Sequence, residues 1–258
     1  MLTWLSEKYR RFRAGRYPWQ ESWFQAALHR VPALKRLNAA EVSRLRQLVK
    51  EFLVDKQFHA ALDLRLTESL KVKIATLACL PALYLGYGVI SGWYDIVVYP
   101  EAFIAQRSKV DAGTGVVHEY QETLAGEAWQ RGPIVLSAAD IERDFANPDI
   151  GHSVVLHEIA HKIDGLDASV DGVPPLPKRE ARLFAERLMW AFNDLNQRIA
   201  LGQPHWINAY AAQSPQEFFA VATESYFLNP DRLQAEFPAL YPAFEGFYKP
   251  DSVALTAS

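Results

Sequence analysis

Residues 153–163 read SVVLHEIAHKI, and this stretch decides how the rest of the chain is interpreted. It contains an HExxH motif formed by His157, Glu158 and His161. Positions i and i+4 of an α-helix lie nearly above one another, so both imidazoles can point at one ion. Glu158 is turned by about 100° from His157 on such a helix, which sets its carboxylate beside that ion as a base. The segment therefore predicts a helix that carries two metal ligands and a general base.

A solvated helical surface is the alternative interpretation of the same motif. The neighbouring residues are apolar, which favours a buried helix. They are Val154, Val155, Leu156, Ile159 and Ala160.

A catalytic zinc site needs a third protein ligand and one open position. Residues 165–167 do not continue into the longer pattern that supplies a third histidine. Further along, residues 214–227 read SPQEFFAVATESYF, with Glu217 and Glu224 on nearly the same face of a predicted helix. Acids inside an apolar helix are costly to bury unless they are paired or metal-bound. Both glutamates are therefore candidate ligands, and an ion pair or exposure at the helix end is the alternative for Glu224.

Composition restricts the class of protein. The chain has 258 residues, of which 50% are hydrophobic and 22% charged, which is typical of one globular domain. A net charge of -3 gives no overall positive field, so neither nucleic acid nor a membrane is expected as a partner. Cys79 is the single cysteine, which excludes an intrachain disulfide and thiolate zinc sites. No apolar segment of signal-peptide length stands at the N-terminus, so a cytoplasmic location is expected.

The uncharged run from Ile74 to Tyr94 is about as long as a membrane span requires. Pro81 and several glycines and tyrosines interrupt its apolar character, and lipid cannot satisfy irregular backbone. We therefore expect a buried helix from about Glu68 to Leu85, followed by a turn and a strand.

The rest of the chain reads as α+β. Residues 109–129 are punctuated by glycines and predict a hairpin or an irregular insert. The strand PIVLS could be the sheet edge on which an extended peptide aligns. Predicted strands are Ile96–Tyr99 and Pro133–Ser137, and predicted helices are Ala40–Phe52, Gly151–Ile163, Lys178–Leu201, Ser214–Leu228 and a shorter one ending near Phe247.

Several stretches together resemble the Mlc titration factor A peptidases, bacterial zinc enzymes whose catalytic core is similar to that of anthrax lethal factor. The similarity extends over about Glu68 to Phe247. The matching stretches are KIATLACLPAL (73–83), WYDIVVYPEAF (93–103), PIVLS (133–137), GHSVVLHEIAHKIDG (151–165) and the block from Tyr210 to Ala220.

The resemblance implies a fold and a site. It implies a zincin-like catalytic core about 68–247. Length, composition and helical periodicity predict a single domain over 1–258, with a mainly helical N-terminal lobe about 1–67 and a flexible tail 248–258. The resemblance also implies one Zn²⁺ per chain, with the gluzincin-like ligand set His157, His161 and Glu217. Tyr210 would face the metal and donate a hydrogen bond to the developing oxyanion.

The implied activity is that of a peptidase or aminopeptidase, in which a zinc-activated water attacks the peptide bond and Glu158 acts as general base. The implied partners are a peptide or protein substrate and a Mlc-like transcription repressor that controls sugar uptake. A regulatory protein that sequesters this repressor, with peptidase activity secondary, is the alternative. A purely structural zinc site is disfavoured, because a neighbouring glutamate base and non-cysteine ligands are typical of an open catalytic site.

Three further polar residues have less definite predicted roles. Asp164, close behind His161, could orient a ligand imidazole or simply end the helix. His152 is predicted to be a capping or packing residue, and His205 an ordinary loop histidine near Tyr210.

Overall fold

The computed structural model describes residues 2–101, 103–110, 117–124, 126–128, 132–147 and 150–250. Within them the chain is an α+β protein, as the sequence predicts. The strands are β1 (Gln57–Ala60), β2 (Asp95–Tyr99), β3 (Phe103–Val110), β4 (Val117–Leu124), β5 (Gly126–Ala128) and β6 (Ile134–Ser137). The helices are α1 (Leu2–Ala14), α2 (Glu21–Arg30), α3 (Ala39–Asp55), α4 (Glu68–Ala78), α5 (Ala82–Leu85), α6 (Ala138–Ala146), α7 (Val154–Asp164), α8 (Lys178–Ala200), α9 (Pro215–Leu228), α10 (Pro230–Glu236) and α11 (Tyr241–Tyr248).

The main sheet has the strand order β1-β2-β6-β5. The first three strands are parallel, with Ile96 of β2 in register with Phe58 of β1 and Ile134 of β6. The short strand β5 runs antiparallel to β6 and contacts α7. β6 is therefore paired on both sides, and the expectation that PIVLS forms a sheet edge is wrong. β5 precedes β6 in the chain and pairs with it, so β5, and not β6, is the outer strand on this side of the sheet.

The predicted insert between β2 and β6 is a hairpin. β3 and β4 pair antiparallel from Phe103 opposite Leu124 to Val110 opposite Val117, as a separate two-stranded sheet. The prediction of a hairpin is confirmed for these strands, and the residues between them lie outside the described part of the chain.

The predicted helix from Glu68 to Leu85 is two helices. Because Pro81 has no N–H, it cannot continue the hydrogen-bond ladder of α4, which ends at Ala78. Leu80 instead donates to the carbonyl of Leu77 in a tighter turn, and α5 begins at Ala82. Among the described residues we find no helix with the length and apolar character that a membrane crossing requires.

α7 is packed between the sheet and the surrounding helices. It contacts α4, α9, β5 and β6, and its Leu156 and Ile159 are buried in the main hydrophobic core. α9 contributes Phe218 and Phe219 to the same core. Each such side chain stabilises the fold by about 1.5–3 kcal/mol relative to an exposed one. The burial of α7 rejects the solvated-surface interpretation of the motif.

The starts of α7 and α9 are fixed by serine caps. Ser153 Oγ accepts from the Leu156 N–H at 3.2 Å, and Ser214 Oγ accepts from the Glu217 N–H at 3.2 Å. Such caps satisfy backbone donors that a helix leaves open at its first turn. The caps fix where α7 and α9 begin, and so which side chains of the two helices lie opposite one another.

The first residue of the predicted flexible tail 248–258 is part of a helix. Tyr248 is the last residue of α11, it is buried, and its hydroxyl lies 2.9 Å from Thr223 Oγ1 of α9. Residues 251–258 lie outside the described part of the chain.

Candidate metal centre

Two imidazoles of α7 point at the same place. His157 and His161 are one turn apart, and their Nε2 atoms are 3.1 Å from each other. Both side chains are mostly buried, with 13% and 16% of their surface exposed. The helix thus brings the two predicted histidines together and leaves one face of the pair open to solvent.

Glu217 completes the cluster from the first turn of α9. Its Oε2 lies 3.0 Å from His157 Nε2 and 3.5 Å from His161 Nε2. The Ser214 cap and Pro215 at the first helical position fix the backbone of this turn, and with it the position from which the Glu217 side chain extends. Within the described residues, this is the one cluster of three or more histidine, cysteine or acidic side chains that could hold a metal ion.

The three ligand atoms have the spacing that a tetrahedral ion requires. Atoms bound at about 2.0–2.1 Å in a tetrahedral arrangement lie about 3.3–3.4 Å from one another. The separations of 3.0, 3.1 and 3.5 Å bracket that value. Two imidazole nitrogens and one carboxylate oxygen are also ligands that Zn²⁺ accepts. The residues therefore fit a three-ligand metal site.

The charges around the cluster favour a cation. Burial opposes ionisation of Glu217, but hydrogen bonds with His157 and His161 outweigh it and hold the pKa of this carboxyl well below its usual range. Burial also opposes a charged His157, yet its contacts with Glu217 and Glu224 raise the pKa of the imidazole well above its usual range. Positive charge is thus stabilised where the three ligand atoms meet.

Glu224 lies behind the cluster, on the side away from the converging atoms. Its Oε1 is 2.8 Å from His157 Nδ1, and its Oε2 accepts from the Ser153 N–H at 2.7 Å. The carboxylate is only 1% exposed. Of the two interpretations that the sequence left open, the ion pair is the one that the structure supports. A partner of this kind fixes the tautomer and ring orientation of a ligand histidine.

Glu158 is buried on the face of α7 next to the histidines. It is 2% exposed, and one turn further along α7 the buried Lys162 interacts electrostatically with it. Lys162 Nζ donates to the carbonyl of Gly132 at 2.8 Å, which ties α7 to the chain just before β6. Burial lowers the pKa of the Lys162 ammonium to about 8.

Tyr210 faces the cluster from a single 3-10 turn, Ala209–Ala212. Its ring centroid lies 5.9 Å from that of His157. The side chain of Asn208 accepts from the Tyr210 N–H at 3.0 Å and fixes the start of the turn. The structure therefore brings His157, His161 and Glu217 together, with the Tyr210 ring beside His157 and the Glu158 carboxylate close enough to interact electrostatically with His157.

The secondary candidates lie further from the ligand atoms. Both oxygens of Asp164 accept from the Gly172 N–H, at 3.0 and 3.1 Å, so Asp164 anchors the loop after α7. His205 Nδ1 is 2.9 Å from the carbonyl of Ile207, as an ordinary loop histidine would be. His152 is 2.7 Å from Asp144 of α6, a residue that the sequence analysis did not single out. No local pattern marks Asp144, because the contact depends on how α6 meets the start of α7.

An α+β fold that presents two histidines and a glutamate around one point defines a candidate metallopeptidase. The family model of the glucose-regulated metallo-peptidase M90 matches residues 5–249, and the chain belongs to this family. The resemblance stated from the sequence is thereby confirmed.

Relatives align over most of their own length. Mlc titration factor A of Klebsiella pneumoniae is 36% identical over 235 residues, covering 90% of this chain and 87% of the relative. The protein of the same name from Pectobacterium atrosepticum is 33% identical over 251 residues, covering 93% of each chain. That of Yersinia pestis is 34% identical over 228 residues, covering 87% of this chain and 83% of the relative.

Proposed function

We propose that this protein is a zinc-dependent peptidase in which His157, His161 and Glu217 hold one Zn²⁺ per chain. The convergence of these three ligand atoms on one point is the observation that carries the proposal. The family name gives independent support for a metal-dependent peptidase. A bound zinc ion would supply Lewis acidity, which polarises a peptide carbonyl and activates a water molecule.

Glu158 is the general base of the proposed reaction. It takes a proton from the attacking water and returns it to the nitrogen of the leaving amine. Its neighbour Lys162 balances the negative charge in a buried environment where an isolated carboxylate is costly. A base of this type contributes about 10²–10⁴-fold to the rate.

Tyr210 is the proposed oxyanion donor. Its ring centroid lies 5.9 Å from that of His157, and its hydroxyl would donate to the substrate oxygen that becomes negative. Tyr210→Phe should lower kcat by about 10²–10³-fold, the effect of removing one oxyanion donor, with a smaller change in KM.

The outer strand β5 is the proposed alignment edge for an extended peptide substrate. It contacts α7, and its inner neighbour β6 is paired on both sides, with β2 and with β5. Main-chain pairing of this kind gives affinity without reading side chains. An aminopeptidase preference and a cytoplasmic location remain predictions from the sequence.

The test combines metal content with hydrolysis. Elemental analysis should give one zinc per chain for the wild type and for Glu158→Gln, while His157→Ala retains none. Short chromogenic peptides should be hydrolysed by the wild type and not by Glu158→Gln. Glu186→Gln, which changes an exposed glutamate of α8 paired with Arg182, is the matched control and should keep full activity. Equal activity of the wild type and Glu158→Gln would refute the assigned base.

A second candidate function is suggested by the relatives' name, which describes titration of Mlc. In that case the protein would bind and sequester a Mlc-like transcription repressor, and peptidase activity would be secondary. Calorimetric titration with purified Mlc separates the two functions. Binding that is unchanged in Glu158→Gln, together with no hydrolysis by the wild type, would favour the regulatory function.

A further inference from the structure

Behind the candidate metal centre, a second histidine is held by its own carboxylate. Asp144 Oδ1 is 2.7 Å from His152 Nδ1, and Asp144 Oδ2 accepts from the Val154 N–H at 2.9 Å. Asp144 therefore connects the end of α6 to the first turn of α7. Its side chain is only 8% exposed, so the position of the His152 ring is set by a buried anchor.

The other ring nitrogen of His152 faces Glu224. His152 Nε2 lies 3.9 Å from Glu224 Oε2, the oxygen that accepts from Ser153. The second oxygen of Glu224 is the one that contacts His157 Nδ1. A continuous series of side chains thus runs from Asp144 through His152 and Glu224 to the ligand His157.

His152 can compensate the negative charge of the buried Glu224 carboxylate. Glu224 is buried, and a buried carboxylate needs a compensating charge as well as hydrogen bonds. Burial works against a charged His152, but the hydrogen bond with Asp144 and the charge of Glu224 raise the pKa of its imidazole to about 9. These contacts favour the imidazolium form of His152, whose Nε2 lies 3.9 Å from the carboxylate that contacts His157.

We propose that His152, held by Asp144, is a positioning residue of the metal centre, which acts by fixing the carboxylate of Glu224 against His157. The inference rests on the proposed function, since it assumes that His157 is a ligand. His152 contacts Asp144 and Glu224, and its proposed effect on the orientation of His157 passes through Glu224. Residues that support a ligand histidine in this way typically contribute about 10–100-fold to metal affinity.

The test is zinc affinity, measured by competition with a chromogenic chelator on the full chain. His152→Ala should weaken zinc binding by about tenfold, the lower end of the range for such supporting residues. His59→Ala is the matched control, because His59 also contacts an aspartate, Asp95, at 2.7 Å, but lies on the exposed strand β1. It should bind zinc as the wild type does.

Two conservative variants separate positioning from loop anchoring. The amide nitrogen of His152→Asn can replace Nδ1 and keep the bond to Asp144, whereas that of His152→Gln can replace Nε2 and face Glu224. Action through Glu224 predicts that His152→Asn loses affinity as His152→Ala does, and that His152→Gln recovers part of it. The opposite order would mean that His152 only anchors the start of α7, and would overturn the inference.

A double-mutant cycle gives the final discrimination. If His152 acts through Glu224, adding His152→Ala to Glu224→Gln should cause little further loss of zinc affinity. A full additional tenfold loss in that background, or wild-type affinity in His152→Ala, would overturn the inference while leaving the zinc peptidase proposal intact. A wild-type protein that binds no zinc would overturn both.

Discussion

Replacing Gly172 by alanine should destabilise the fold at the point where α9, the helix of Glu217, begins. Gly172 lies in the loop after α7 with φ of +82°, where glycine is favoured. A Cβ atom at this position would be 2.5 Å from the carbonyl oxygen of Pro215 and 2.9 Å from its carbonyl carbon. Both are backbone atoms of the first residue of α9, which cannot move aside without moving the helix.

The magnitude can be worked out with a control glycine. Gly202, at the end of α8, has φ of +64°, and a Cβ added there would meet nothing within 4 Å. Gly202→Ala therefore carries only the cost of the left-handed backbone, about 1–2 kcal/mol. Gly172→Ala carries the same cost plus overpacking of about 1–3 kcal/mol, a total of about 2–5 kcal/mol.

Urea unfolding monitored by tryptophan fluorescence measures both variants against the wild type. Gly172→Ala should lower the free energy of unfolding by about 1–3 kcal/mol more than Gly202→Ala does. It should also weaken zinc binding, because a shift of Pro215 displaces Glu217, whereas Gly202→Ala should leave zinc affinity unchanged. Equal loss of stability in the two variants would refute the argument from backbone contact.

Three further predictions concern buried polar groups. Burial raises the pKa of Asp164 from 3.8 to about 7, so the folded state holds a proton that the unfolded state has already released. The free energy of unfolding of the protein should therefore fall as the pH rises from about 4 to about 7. Urea unfolding of Asp164→Asn should show a smaller fall over the same range. Lys56 Nζ, fully buried, donates to the carbonyls of Ile90 and Trp93 at 2.7 and 2.6 Å. Lys56→Met should cost about 2–4 kcal/mol in the same assay, because both acceptors lose their donor. Cys79 is fully buried and burial raises the pKa of its thiol, so a disulfide reagent should label it no faster than the protein opens.

The local part of the candidate site could be predicted because it depends on helical spacing alone. His157 and His161 are four residues apart, and their convergence follows from the geometry of one helix. The apolar neighbours of the motif also predicted correctly that this helix is buried. Proline chemistry would have predicted the break at Pro81, but the apolar run on both sides of it favoured a continuous helix.

The remaining parts depend on contacts that no local pattern encodes. Spacing placed Glu217 and Glu224 on one face of α9, and both do face α7. Which of them approaches Nε2 and which approaches Nδ1 of His157 depends on the relative height of two helices about 60 residues apart in sequence. Resemblance, rather than periodicity, favoured Glu217 as ligand. β1 was missed because four residues with mostly exposed side chains show no alternation of apolar and polar positions.

The two proposed functions place different demands on the buried acids. Sequestering a repressor requires a complementary surface, whereas Glu158 and Glu224 lie inside the protein at 2% and 1% exposure. Buried carboxylates lower stability unless a partner compensates them, and a well-packed apolar residue would often serve the fold better. Here Glu224 is in contact with the Ser153 N–H, with His157 and with His152, which Asp144 holds in turn. A protein-binding surface does not require buried carboxylates of this kind. A metal-dependent hydrolase requires them to hold a metal-binding histidine in one orientation. The burial of Glu158 and Glu224 therefore favours peptidase activity as the function of this site. Binding of a repressor would involve other surfaces of the same chain.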